Sequence, residues 1–189
     1  DAILELIDLY LYFKNKKEVL SSYKKFIGKI KEGGTLVIGD SSLNSLKPLD
    51  RNDIKIVIIK DFPSVKLSII GDFRKENANA ALTVAQILKV YERSAKKSLA
   101  NFRGLARRLQ YKGEIKGTKF YDDYAVQPYT IKTTANALRA KFKGQKFALV
   151  VEPHTFTRVE TFIDQFAKNL KAIAADKIFI TEVYAARER

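Results

Sequence analysis

Between Tyr121 and Arg158 the chain gathers the side chains with which chemistry could be done, in the stretch YDDYAVQPYTIKTTANALRAKFKGQKFALVVEPHTFTR. Two adjacent carboxylates, Asp122 and Asp123, end an apolar run, where they could orient a ribose, hold a magnesium ion or cap the next helix. Neighbours in a strand alternate between faces, so only one of the two can point into a given crevice. A second run ends in Glu152 and in His154, the single histidine of the chain. Arg158 follows at the start of an expected helix, where exposed N–H groups and the positive dipole end suit an anion. An arginine in that first turn is unfavourable without an anion nearby, which points Arg158 towards carboxylate or phosphate recognition. For His154 a structural role and a functional one stand level.

Arg107-Arg108 could clamp a phosphate with two guanidinium forks, or could be a solvated pair on a strand. The stretch GTLVIGDS (34–41) comes nearest to a phosphate loop of the form G-x-x-x-x-G-K-[ST]. It carries Asp40 in the lysine position, where a carboxylate repels phosphate, so it reads as turn and strand. If the protein uses ATP, its phosphate loop is expected upstream of Asp1.

The elements that must position these groups can be read from periodicity. Residues 1–15 alternate loosely and suggest a strand running into a loop. Val19, Leu20, Tyr23, Phe26, Ile27 and Ile30 recur at helical spacing over about 16–31, with Gly33-Gly34 as the stop. TLVIG (35–39), DIKIVIIK (53–60) and VKLSII (65–70) read as strands. A helix is expected from about Glu76 to Arg93, with Ala80, Ala81, Val84, Ile87, Leu88 and Tyr91 on its apolar face. The polar, basic segment from Ser94 to Gly104 suits a domain boundary. Gly113 and Gly117 suggest a hairpin leading into the strand that ends at Asp122. Pro128 suits the first turn of a helix carrying Ile131, Ala135, Leu138 and Phe142, closed by Gly144. After KFALVVEPH, the spacing Thr157-Arg158-Val159-Glu160 matches a capping box. The helix it opens carries Val159, Phe162, Ile163, Phe166 and Leu170. DKIFITEVY, ending in Glu182 and Tyr184, is the last strand. Strand alternating with helix in this way indicates an α/β fold with a mainly parallel sheet. Ligands bind such sheets outside the carboxyl ends of the strands, which is where these polar residues fall.

Composition sets the outer limits. In 189 residues, 46% are hydrophobic and 30% charged, which is globular rather than disordered. There is no cysteine, so disulfides and thiolate metal sites are excluded and a reducing cytoplasm is the expected setting. No apolar run approaches the ~20 residues of a membrane-spanning helix. The net charge of +14 is shared evenly by the two halves of the chain, as a solvated basic surface or an attraction to a polyanion such as a nucleotide. Asp1 opens directly into apolar sequence and the chain holds no Met, so it is expected to be part of a longer protein.

Five stretches in order, GDFRKENANAAL (71–82), FRGLARRLQ (102–110), YDDYAVQP (121–128), VVEPHTFTR (150–158) and TEVYAARE (181–188), resemble the Mur ligases. The resemblance implies ATP-dependent amide-bond formation through an acyl phosphate, in the synthesis of peptidoglycan precursors for cell-wall growth and division. The substrates implied are UDP-N-acetylmuramate and an amino acid, L-alanine foremost, with ATP and Mg2+ as cofactors. Residues 1–103 would be the later part of a central ATP-binding domain. Residues 104–189 would belong to a Rossmann-like C-terminal domain, truncated at its end, with the phosphate loop and the UDP-sugar domain lying upstream. Carried over by position, Asn77 would contact adenine, and Arg108 and Asp123 would reach the ATP. His154 and Arg158 would hold the incoming amino acid, the arginine against its carboxylate, and Tyr124 would line the same cleft. No residue of this stretch is assigned as catalytic or as a metal ligand.

Three departures replace histidines that the family carries: Leu9 at the metal-binding position of the opening segment, Phe73 in the adenine loop, and Val126-Gln127 after DDYA. Two alternatives therefore stand beside the ligase. One is a divergent or catalytically silent relative kept for protein contacts, and the other a basic α/β module that binds nucleic acid.

Overall fold

The structure, a computed structural model, describes residues 15–63 and 65–188. The strand expected over residues 1–15 and the substitution at Leu9 lie outside the described residues. The chain divides into two compact units. The first holds the described residues up to Ser68 together with Phe73–Asn101. The second holds Ile69–Asp72 and the residues from Phe102 onward.

In the first unit, helix α1 (Lys16–Ile27) starts where Asn15, in extended conformation, accepts a hydrogen bond from the Glu18 N–H at 3.0 Å. It buries Val19 and Ile27 and ends at Gly28, one turn before the expected stop. Arg51 accounts for the early end. Its guanidinium, held by Asp53, donates to the Ile27 and Ile30 carbonyls at 3.0 and 2.6 Å, and the first of these is an acceptor a longer helix would have used internally. Strand β1 (Thr35–Ile38), helix α2 (Asp40–Leu46) and strand β2 (Lys55–Ile58) form a crossover in which the strands pair in parallel, Thr35 opposite Lys55. Within GTLVIGDS the expected strand is Thr35–Ile38, but Asp40 and Ser41 begin a short helix that the reading as turn and strand did not include. Ile27, Leu46 and Ile54 form the core of this unit, with Leu20, Leu36 and Ile38 against it.

Helix α3 (Arg74–Ile87) buries Ala78, Leu82 and Thr83. This is not the expected face: Val84, Leu88 and Tyr91 are exposed. Polar anchors set the rotation. The Thr83 hydroxyl accepts the Lys60 N–H at 3.0 Å, and Asn79 accepts the Phe62 N–H while donating to Asp61. The expected single helix to Arg93 is broken, because Lys89 takes φ 57 and a separate helix α4 (Glu92–Asn101) follows. VKLSII is no strand. Its last two residues, with Gly71 and Asp72, group with the second unit, and none of the six pairs with β1 or β2.

The second unit opens with a hairpin, β3 (Gln110–Ile115) and β4 (Thr118–Asp122), antiparallel with Tyr111 opposite Tyr121. Lys116 and Gly117 turn it, both at positive φ (49 and 78), a conformation whose twist matches that of the strands. Pro128 begins helix α5 (Pro128–Lys141), which buries Ile131, Thr134 and Ala135. Strand β5 (Ala148–Val151), helix α6 (Phe156–Lys171) and strand β6 (Lys177–Ile180) make a second parallel crossover, Ala148 opposite Lys177. Phe162 and Phe166 of α6 are buried, but Ile163 is 56% exposed and does not belong to the core stripe. The expected parallel run of three strands is reduced to a pair. β4 pairs with its hairpin neighbour β3, and among the described residues no ladder joins it to β5. The fold is mixed α/β with two parallel strand pairs. Among the described residues no helix is long and apolar enough to cross a membrane.

Candidate functional site

Beyond the carboxyl ends of β4, β5 and β6, the second unit brings together residues far apart in sequence. β4 ends at Asp122, and the two carboxylates diverge as alternation requires. Asp123 turns to α5 and accepts the Thr134 hydroxyl at 3.0 Å, while Asp122 faces Arg107, 3.9 Å from its Nε. Arg107 lies over the Tyr124 ring at 4.8 Å, and its carbonyl accepts the Tyr124 N–H at 2.7 Å. Tyr124 in turn meets His154, edge to face with 5.9 Å between ring centres, its hydroxyl 3.5 Å from Nε2. Tyr184 also stands against the imidazole, with 5.4 Å between ring centres.

His154 is placed by the extension of β5 beyond Val151. It makes an isolated parallel bridge with Tyr184, whose N–H donates to the Pro153 carbonyl and whose carbonyl accepts the Thr155 N–H, each at 2.8 Å. Arg158, one helical turn on, donates through Nη1 to the His154 carbonyl at 2.9 Å and stands 3.3 Å from His154 Nδ1. A guanidinium carries donors only, so a bond from Arg158 to Nδ1 places the ring proton on Nε2, facing Tyr124, in the tautomer that makes it. The result is a half-buried imidazole in contact with two tyrosines and a guanidinium. Such an arrangement suits a small ligand that carries a carboxylate and an amine: an arginine fork matches a carboxylate, and tyrosine and imidazole can exchange hydrogen bonds with an amine.

The expected capping box does not form. Thr157 lies inside α6, whose N-cap is Thr155, and Thr155 makes no side-chain cap. The cap comes from Glu188, whose carboxylate accepts the Thr157 N–H at 3.0 Å. Bonds from the Thr157 side chain and backbone hold the Glu188 carboxyl below the ordinary range. The Phe156 N–H and the charge of Arg158 add to this, and partial burial opposes it. The anion that an arginine in this first turn calls for is therefore supplied, at least in part, by the chain itself.

Tyr124, His154 and Arg158 are thus brought together. Asp123 is their neighbour but faces α5. Arg108 is exposed beside Arg107. Asn77 is exposed near the start of α3, in the other unit. Phe73 precedes α3 with Arg74 over its ring at 5.2 Å, and Gln127 serves as N-cap of α5 without a side-chain bond. Reading the sequence missed the stacking of Arg107 on Tyr124 and the cap from Glu188. Both are long-range contacts with no local signal. A cavity of about 100 Å³ lies against this region, lined by Leu109, Tyr121, Asp123, Ile131, Thr134 and Val151 among others. Among the described residues no group of three or more histidine and carboxylate side chains is placed to hold a metal ion.

Residues 107–189, from the hairpin through β6, match the family model described as Mur ligase, glutamate ligase domain. The UDP-N-acetylmuramate–L-alanine ligase of Caldicellulosiruptor bescii is 33% identical over 94% of the chain and 45% of its own length. That of Protochlamydia amoebophila is 36% identical over 68% of the chain and 28% of its own length. The chain thus spans less than half the length of the curated relatives it matches. Among solved structures, the UDP-N-acetylmuramate-alanine ligase of Thermotoga maritima aligns with 65% of the chain and 26% of its own, with a TM-score of 0.54 at 28% identity. The folylpolyglutamate synthase of the same organism aligns with 89% of the chain and 45% of its own, with a TM-score of 0.67. At 19% identity that likeness speaks for the fold alone. The match of the second unit to the family model, and the extent of the likeness to these relatives along the rest of the chain, lead to one assignment: the chain belongs to the Mur ligase family.

Proposed function

We propose that this chain is part of an ATP-dependent ligase that joins an amino acid, L-alanine foremost, to the carboxylate of UDP-N-acetylmuramate in peptidoglycan precursor synthesis. The observation that carries the reading is the Tyr124–His154–Arg158 cluster at the strand ends of a chain similar to UDP-N-acetylmuramate–L-alanine ligases. Arg158 binds the carboxylate of the incoming amino acid. His154 and Tyr124 orient its amine, and Tyr184 packs against the imidazole. Preorganised donors of this kind contribute by holding the reacting groups in place and by stabilising charge as it develops.

The residues assigned to ATP fit it by their chemistry. Within the second unit, Asp123 offers acceptors for ribose hydroxyls and Arg108 a fork for phosphate. ATP would supply the phosphoryl group that activates the muramate carboxylate as an acyl phosphate, with Mg2+ neutralising phosphate charge. A cytoplasmic setting is part of this reading.

The test is Arg158→Ala in the protein made from its native gene. A charge-assisted bond to the substrate carboxylate is worth roughly 1.5–3 kcal/mol, so KM for the amino acid should rise by about one to two orders of magnitude. KM for ATP should move little. Equal losses for both substrates would contradict the assignment.

A further inference from the structure

The segment that follows β6 is tied back to the site at two points. The first is the pair of backbone bonds between Tyr184 and the residues flanking His154. The second is Glu188. A turn in which the Glu188 N–H donates to the Ala185 carbonyl at 3.0 Å, with Ala186 at φ 54, sends the chain back so that the Glu188 carboxylate reaches the first turn of α6. Between these two ties lies Thr155, a β-branched residue at φ 66, where such side chains are strained and persist only when their surroundings over-determine them. Its N–H is bonded to the Tyr184 carbonyl, so the conformation that places His154 on one side and Arg158 on the other depends on the returning segment.

We propose that Glu188 is a positioning residue for the Tyr124–His154–Arg158–Tyr184 cluster. Its carboxylate, seated on the α6 N-terminus, latches residues 181–188 so that Tyr184 stays against the imidazole and Arg158 stays directed at His154. Only the catalytic consequence of the latch rests on the ligase reading. The latch itself does not. An arginine in the first turn of a helix opposes the helix dipole, and the Glu188 carboxylate beside it offsets that opposition. The carboxylate also satisfies a helix N–H that no other side chain caps.

The chain offers a direct readout, because His154 is its only histidine and its ring signals need no assignment. Nitrogen-15 and proton spectra of that ring are compared in the 189-residue chain and its Glu188→Ala and Glu188→Gln variants. The expected result is an Nε2–H tautomer in the parent. In Glu188→Ala the ring-proton shifts should move as Tyr184 leaves the imidazole. In Glu188→Gln they should stay near the parent values, since an amide oxygen still accepts the Thr157 N–H. Ring signals unchanged in Glu188→Ala would overturn the proposal. So would the collapse of all tertiary signals in both variants, which would make Glu188 a requirement of the fold rather than of the site.

In the protein made from its native gene, Glu188→Ala should raise KM for the amino acid by about three- to tenfold, the worth of one hydrogen bond. KM for ATP should stay within about twofold, and Glu188→Gln should recover most of the loss. Parallel loss in both KM values would overturn the positioning role. A parent protein with no turnover that depends on the amino acid would instead sink the ligase reading, and the ring signals would still decide the latch.

Discussion

At the end of β4, Asp122 and Asp123 take different partners, Asp122 facing Arg107 and Asp123 accepting the Thr134 hydroxyl. Alternation along a strand predicted that the two carboxylates would part. What each would meet was not legible, because the partners come from other elements. The same holds at Arg158. The physical demand for an anion beside it was readable from the helix start, but Glu188, thirty residues away, carries no mark of being that anion. The depressed carboxyls make a prediction about acid. Asp176 is held below the ordinary Asp value of 3.8 first by the Phe147 N–H and then by Arg139, and Asp53 first by the hydrogen bond from Arg51. Groups with folded pKa values below their unfolded ones give stability that is present above the unfolded value and is lost as pH falls through the folded one. The melting temperature should therefore hold steady down to the ordinary carboxylate range and decline below it. Asp176→Asn, measured by circular dichroism across that range, should lower the neutral plateau and flatten the decline. An unaltered acid limb would contradict the role given to Asp176.

Among the elements, the turns and starts were the most legible because their chemistry is local. Gly117 turns the hairpin, Pro128 opens α5, and the β-branched runs form β1 and β2. Helix faces were less legible where polar anchors override apolar periodicity. In α3, hydrogen bonds that Asn79 and Thr83 accept from N–H groups of the loop after β2 turn Leu82 inward and Val84 outward. Leu82, only 2% exposed, should cost roughly 2–5 kcal/mol as Leu82→Ala, through lost burial and the cavity left behind. Val84, 40% exposed, should cost under about 0.5 kcal/mol as Val84→Ala. Urea titration of the two variants distinguishes the observed face from the expected one. Equal costs would return α3 to the rotation read from periodicity. The hairpin was legible, but not that β4 would pair in it rather than in a parallel run with β5: the tight Lys116-Gly117 turn closes a local antiparallel ladder at little entropic cost, and among the described residues no ladder to β5 forms.

At the scale of the molecule, the mixed α/β class and the parallel crossovers followed from the alternation of strands and helices. The chemistry did not follow from it. A fold of this kind hosts many activities, and the argument for a ligase rests on the Tyr124–His154–Arg158 cluster and on the chain's likeness to Mur ligases. The net charge of +14 suits substrates that carry phosphates, yet it would serve a nucleic-acid surface as well, so charge decides nothing between them. Turnover does. The protein made from its native gene is incubated with ATP, Mg2+, UDP-N-acetylmuramate and L-alanine, and ADP release is followed as each component is withheld. The account predicts release that requires both the sugar nucleotide and the amino acid, with one amide product formed for each ADP. Release that ignores the amino acid, or no release with every component present, would contradict it.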